Sequence, residues 1–164
     1  MAVIPRHSPP LHLLLLVVAS FVLIPTWGRS NASEPISSNV ETIDIHTARS
    51  LLIGAERNRQ RHLYLDVRTR DEFYNGHVEN AINIPYILFT STGKVKNLKF
   101  VEQVMGVMKK DDYILVGCLT GVRSLEASEV LTKAGFKYVK NVGGGYAAWV
   151  DSGFDVVNEP KNEL

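Results

Sequence analysis

Cys118 is the only cysteine in the chain, and it stands where the apolar run Ile114-Leu115-Val116-Gly117 gives way to the polar loop Leu119-Thr120-Gly121-Val122-Arg123-Ser124. A thiol is a nucleophile only when ionised, and a helix N-terminus and a guanidinium are two groups that favour the anion. Lowering a cysteine pKa from about 8.5 to about 6.5 takes roughly 2.7 kcal/mol. A helix N-terminus supplies at most about 2 kcal/mol, so backbone N–H donors or Arg123 must add the rest. Gly121 allows consecutive amides to turn inward as an anion cradle, which makes Leu119, Thr120, Gly121 and Val122 the expected substrate-binding loop. Arg123 is expected to bind the same anion, because a cation at a first helical turn opposes the helix dipole and gains little as a surface charge. Ser124 is expected to support the structure by capping the helix.

A second polar cluster, Asp66-Val67-Arg68-Thr69-Arg70-Asp71-Glu72-Phe73, follows another apolar run. Thr69 and Glu72 have the spacing of a capping box, which accounts for both without chemistry. Asp66 is expected to hold an arginine in an architectural ion pair, and Arg68 to face substrate. His77 reads as a hydrogen-bonded structural histidine, and the sequence has no spaced His or Cys set for zinc. Gly143-Gly144-Gly145 lacks the spacing and lysine of a phosphate-binding loop and reads as a tight connection.

These groups need elements to position them. His62-Leu63-Tyr64-Leu65-Asp66-Val67 and Tyr113-Ile114-Leu115-Val116 are short, nearly continuous apolar runs, as expected of strands buried on both faces. Helical spacing joins Ala48, Leu51 and Leu52; then Val101, Val104, Met105 and Met108; then Ala127, Leu131 and Ala134, closed by Gly135. Such alternation predicts an α/β fold with a parallel sheet and helices on both sides, its ligands bound beyond the carboxyl ends of the strands, where Asp66, Arg68 and Cys118 fall.

The chain has 164 residues, 45% hydrophobic and 21% charged, which suits one globular domain held by its apolar core. A lone cysteine makes no internal disulfide. The net charge is +1, so no nucleic-acid partner is expected. Residues 1–32 carry Arg6 and Arg29, no acidic residue and the block Leu13 to Ile24, which reads as a secretory signal peptide. In a helix, twelve such residues span about 18 Å, short of the roughly 30 Å hydrocarbon core, so no stable membrane span is expected after its removal. Residues 33–41 read as a polar linker, 42–156 as the domain, and 157–164 as a tail ending Lys161-Asn162-Glu163-Leu164, which resembles the lumenal retention tetrapeptide. Together the two ends predict the endoplasmic reticulum lumen, the alternatives being secretion, or organelle targeting if the leader is a transit peptide.

Asp66-Val67-Arg68 with Glu72-Phe73, Gly76-His77 through Asn83-Ile84-Pro85, the loop from Cys118 to Ser124, and Asn141-Val142-Gly143-Gly144-Gly145 with Trp149 occur in the order seen in one family. From about Val40 to Phe154 the chain resembles the rhodanese sulfurtransferases, specifically the small single-domain plant members related to senescence-associated and dark-inducible proteins. The resemblance implies a rhodanese-like fold, a five-stranded parallel sheet with helices on both faces. It also implies that Cys118 carries a persulfide and that Arg123 is the loop arginine of many catalytic members. Sulfur would then pass from a small donor such as thiosulfate to a nucleophilic acceptor such as cyanide or a thiol, with no cofactor required. Two other readings use the same cysteine. Phosphatases and arsenate reductases of this fold place five residues between Cys and Arg, whereas four intervene here and close a narrower ring. A redox sensor would use an exposed, low-pKa thiol and turn nothing over.

Overall fold

The structure, a computed structural model, describes Met1, residues 40–54 and residues 60–158. The expected signal peptide, most of the linker and the Lys-Asn-Glu-Leu tail lie outside the described residues. The fold belongs to a unit running from Ser37 to Leu164.

Five strands form one parallel sheet: β1 (Glu41–Ile43), β2 (His62–Asp66), β3 (Ile82–Asn83), β6 (Tyr113–Gly117) and β7 (Tyr138–Val142), in the order β1-β7-β6-β2-β3. The central pair is in register from His62 opposite Tyr113 to Asp66 opposite Gly117. The exits of β2 and β6, and the polar clusters that follow them, therefore lie side by side.

Because successive side chains of a strand point to opposite faces, the apolar runs divide into two cores. Leu65, Val67, Ile114 and Val116 pack with Phe100 and Val104 of α3 (Phe100–Met105) and with Ala127 and Leu131 of α4 (Val122–Lys133). Tyr64, Leu115, Ile43 and Val142 pack on the other face with Ile45 and Ala48 of α1 (Ile45–Ile53) and Trp149 of α5 (Gly145–Asp151). Each fully buried aliphatic side chain of this kind contributes about 1.5–3 kcal/mol. Helices thus cover both faces of a five-stranded parallel sheet, the α/β architecture expected from the alternation of patterns.

Three details differ from the sequence reading. β1 begins at Glu41, one residue before the expected start of the domain, and Val40 is already buried. The helix expected to carry Val101, Val104, Met105 and Met108 is capped at Gly106; Met105 faces solvent, and Met108 reaches the core from beyond the helix end. A hairpin that the sequence reading missed, β4 (Ile87–Thr90) with β5 (Gly93–Lys96), stands apart from the main sheet. Its signal was the Ser91-Thr92-Gly93 turn between two β-forming stretches.

Candidate active site

Strand β6 delivers Cys118 to its carboxyl end, where the chain must turn without filling the space around the sulfur. Gly121 makes the turn at φ +98°, with its Cα side closed in by Val142 O at 3.2 Å and Gly143 Cα at 3.3 Å from where a Cβ would stand. A side chain there is disfavoured by both conformation and space. The loop carbonyls point outward because they have partners there: Tyr146 N donates to Cys118 O at 2.8 Å and Ala147 N to Leu119 O at 2.9 Å. Those two amides open α5, which has no side-chain cap, so the loop supplies the acceptors that a helix start lacks. With the carbonyls held outward, amides turn inward. Gly121 N donates to Cys118 Sγ at 3.2 Å, and Ser124 Oγ lies 3.4 Å from the same sulfur.

The cysteine is only 1% exposed. Burial alone would push the thiol pKa up. Hydrogen bonds from the Ser124 hydroxyl and from the amides of Ser124, Thr120 and Gly121 outweigh it and hold the thiol below its ordinary value. The residues that stabilise the anion are thus the loop amides and Ser124. Ser124 does not cap α4, whose N-cap is Gly121 and which has no side-chain cap.

Arg123, expected to serve the sulfur or its donor directly, is committed to Glu72 on α2 (Arg70–Tyr74): Nη2 to Oε1 at 2.6 Å and Nη1 to Oε2 at 2.9 Å. The capping box forms as the spacing predicts, with Thr69 N and Oγ1 both donating to Glu72 Oε2 at 2.9 Å. Glu72 therefore does two things, and the sequence reading credited it with one. Burial would raise its carboxyl pKa, but Arg123 and Thr69 bring it down to about 2. Glu72 in turn raises the pKa of Arg123, against the effect of its own partial burial.

Arg68, expected to face substrate, is instead enclosed by protein groups. It is 2% exposed, with Nη2 at 2.7 Å from Asp66 Oδ2 and, at the same distance, donating to Gly76 O. Its guanidinium carbon lies 3.9 Å from the centre of the Tyr146 ring. A charge so enclosed is tolerable only with this full set of partners, and together they tie the exit of β2 to α5. The arginine that Asp66 holds is Arg68. Asn83 braces the same turn, donating to Asp66 O and Arg68 O, each at 3.0 Å. His77 stacks on Phe73 at 3.8 Å, with Nδ1 at 3.1 Å from Phe73 O, away from the sulfur loop.

Outside the loop lies a groove of about 690 Å³ between Thr69 and Glu72, the hairpin residues Ile87, Phe89 and Lys94, and Leu119, Thr120, Val122 and Arg123. Phe89 is 64% exposed, and the Lys94 ammonium sits 5.3 Å from its ring centre.

The profile of the rhodanese-like domain matches residues 52–152, which span the sheet exits, the cysteine loop and the glycine turn. The chain belongs to the rhodanese family. Among rhodanese-family proteins it is 47% identical to Thiosulfate sulfurtransferase 18 of Arabidopsis thaliana, over 80% of this chain and 94% of that one. It is also 47% identical to Protein HIGH ARSENIC CONTENT 1, mitochondrial, of the same plant, over 71% of this chain and 65% of the relative. The crystal structure of the Alr3790 protein from Anabaena sp. superposes with a TM-score of 0.58 at 26% identity, covering 71% of this chain and 80% of that one.

Proposed function

We propose that this rhodanese is a sulfurtransferase that carries a sulfane sulfur on Cys118. The observation behind this reading is the ring of inward amides, completed by Ser124, around a sulfur that burial alone would keep neutral. The Cys118 thiolate attacks the outer sulfur of thiosulfate, a Cys–S–S bond forms, and the S–S bond of the donor breaks as sulfite leaves with the electron pair. Cyanide or a thiolate then attacks the outer sulfur of the persulfide, and Cys118 departs as the thiolate. Negative charge stays within reach of the loop amides throughout, and this is where pre-oriented dipoles contribute most. No proton has to be removed by a base. The groove beside the loop has room for an acceptor much larger than cyanide.

The degree of burial favours turnover over redox sensing. A sensor needs a thiol open to oxidants, whereas Cys118 is 1% exposed. Arsenate reduction, the other chemistry expected of a cysteine loop on this fold, is the second reading, and the four-residue span between Cys118 and Arg123 stands against it. Intact mass after thiosulfate treatment tests the proposal. The expected result is a gain of one sulfur atom, lost on adding cyanide and absent in Cys118→Ser. An unchanged mass with arsenate-dependent thiol oxidation would favour the second reading.

A further inference from the structure

Ser124 has one hydroxyl proton and three acceptors within reach: Asn141 Oδ1 at 2.6 Å, Gly121 O at 3.1 Å and Cys118 Sγ at 3.4 Å. Asn141 lies on β7, is 3% exposed, and donates its own Nδ2 to Thr42 Oγ1 on β1 at 3.1 Å. That bond leaves Oδ1 facing Ser124. A neutral thiol competes poorly for the Ser124 proton, since sulfur is a weak acceptor and the amide oxygen is the nearer partner. A thiolate competes well, because a hydrogen bond to a charged group is roughly twice as strong as a neutral one.

We infer that Asn141 is a positioning residue for Cys118, holding the Ser124 proton while the sulfur is neutral and releasing it when the sulfur is charged. In the neutral state the Cys118 S–H faces a lone pair of Ser124. On ionisation the Ser124 hydroxyl turns toward Sγ, and Asn141 Oδ1 loses a buried hydrogen bond, which sets a cost on forming the anion. This rests on the persulfide cycle proposed above in one respect: once the charge moves to the outer sulfur, Sγ no longer needs the proton and Asn141 takes it back. The hydroxyl thus follows the charge through each half-reaction. Among the described residues, the titratable groups that interact electrostatically with Cys118 are Tyr64 on β2 and Arg123 on α4, and these two in turn interact with Asp66, Arg68 and Glu72. None of these hydrogen-bonds to Ser124 Oγ.

The test is a thiol titration of the full chain, read by ultraviolet thiolate absorbance and by the carbon-13 shift of the labelled cysteine, which is unique in the sequence. Asn141→Leu removes the nearer of the two competing acceptors and is expected to lower the Cys118 midpoint by about one pH unit. Asn141→Asp strengthens it and is expected to raise the midpoint by at least as much. Thr42→Val, a near-isosteric change at the edge strand, frees the Asn141 amide to rotate and is expected to shift the midpoint down by a smaller amount. In a Ser124→Ala background, Asn141→Leu is expected to move nothing. An unchanged or raised midpoint in Asn141→Leu and Thr42→Val, or the same shift without the Ser124 hydroxyl, would overturn the inference. The titration needs no sulfur transfer, so failure of the sulfurtransferase reading would register separately, as the missing mass gain.

Discussion

Replacing Glu72 by Gln keeps an oxygen for the capping box and removes the charge that Arg123 engages. The carboxyl pKa is held at about 2 against an ordinary 4.5, a difference equivalent to about 3 kcal/mol if fully realised in folding. Both side chains are about three-tenths exposed, and solvent screens such a pair, so about 1–2 kcal/mol is the expected loss at neutral pH. The sign of the pH dependence follows from the depressed carboxyl. Its contribution is complete above about pH 4.5 and disappears as the pH falls toward 2. Wild type should therefore lose its advantage over Glu72→Gln across that window, the two converging near its acid end. Urea unfolding followed by tryptophan fluorescence at a series of pH values measures the difference, with Trp149 in the core as reporter. Arg123→Gln should cost a similar amount, and the double variant should cost less than the sum of the two. A gap between wild type and Glu72→Gln that stays constant down to the acid end would refute the assignment of that stability to the ion pair.

Gly145→Ala places a methyl group against Cys118 O and within 2.8 Å of Leu119 O, at φ +57°, so it should displace the sulfur loop. It is expected to cut thiocyanate formation more than tenfold and to cost about 2–3 kcal/mol. Gly93→Ala, also at positive φ but with open space around it, should cost only about 1 kcal/mol and leave turnover intact. Asp66→Ala strands a buried guanidinium and is expected to cost about 3–5 kcal/mol in urea unfolding, whereas the pair Asp66→Leu with Arg68→Met should recover at least half of that.

What the sequence made legible was whatever depends on neighbours along the chain. The buried strands are apolar runs, the capping box is a three-residue spacing, and the turn at Gly121 follows from a glycine between strand and helix. What it left illegible was pairing across the fold. Glu72 and Arg123 are 51 positions apart and meet only because β2 and β6 lie side by side and release their helices at the same sheet end. The same adjacency corrects the reading of Arg68, which no local pattern distinguishes from an exposed arginine but which packing seals under Tyr146. Asn141 looked like part of a glycine-turn motif, and its contact with Ser124 depends on β7 lying next to β6. The hairpin walls the groove with residues whose exposure resembles that of an ordinary loop, so its place beside the sulfur had to come from the fold.

The outward bonds from the loop carbonyls to Tyr146 and Ala147 carry a consequence for synthesis. A polypeptide still emerging from the ribosome passes Cys118 well before it acquires the amides that brace the surrounding ring. Until those later residues leave the exit tunnel and dock, the sulfur has no shaped pocket. The nascent thiol should therefore behave as an ordinary, unactivated cysteine, so that reactivity arrives only as a late event of maturation.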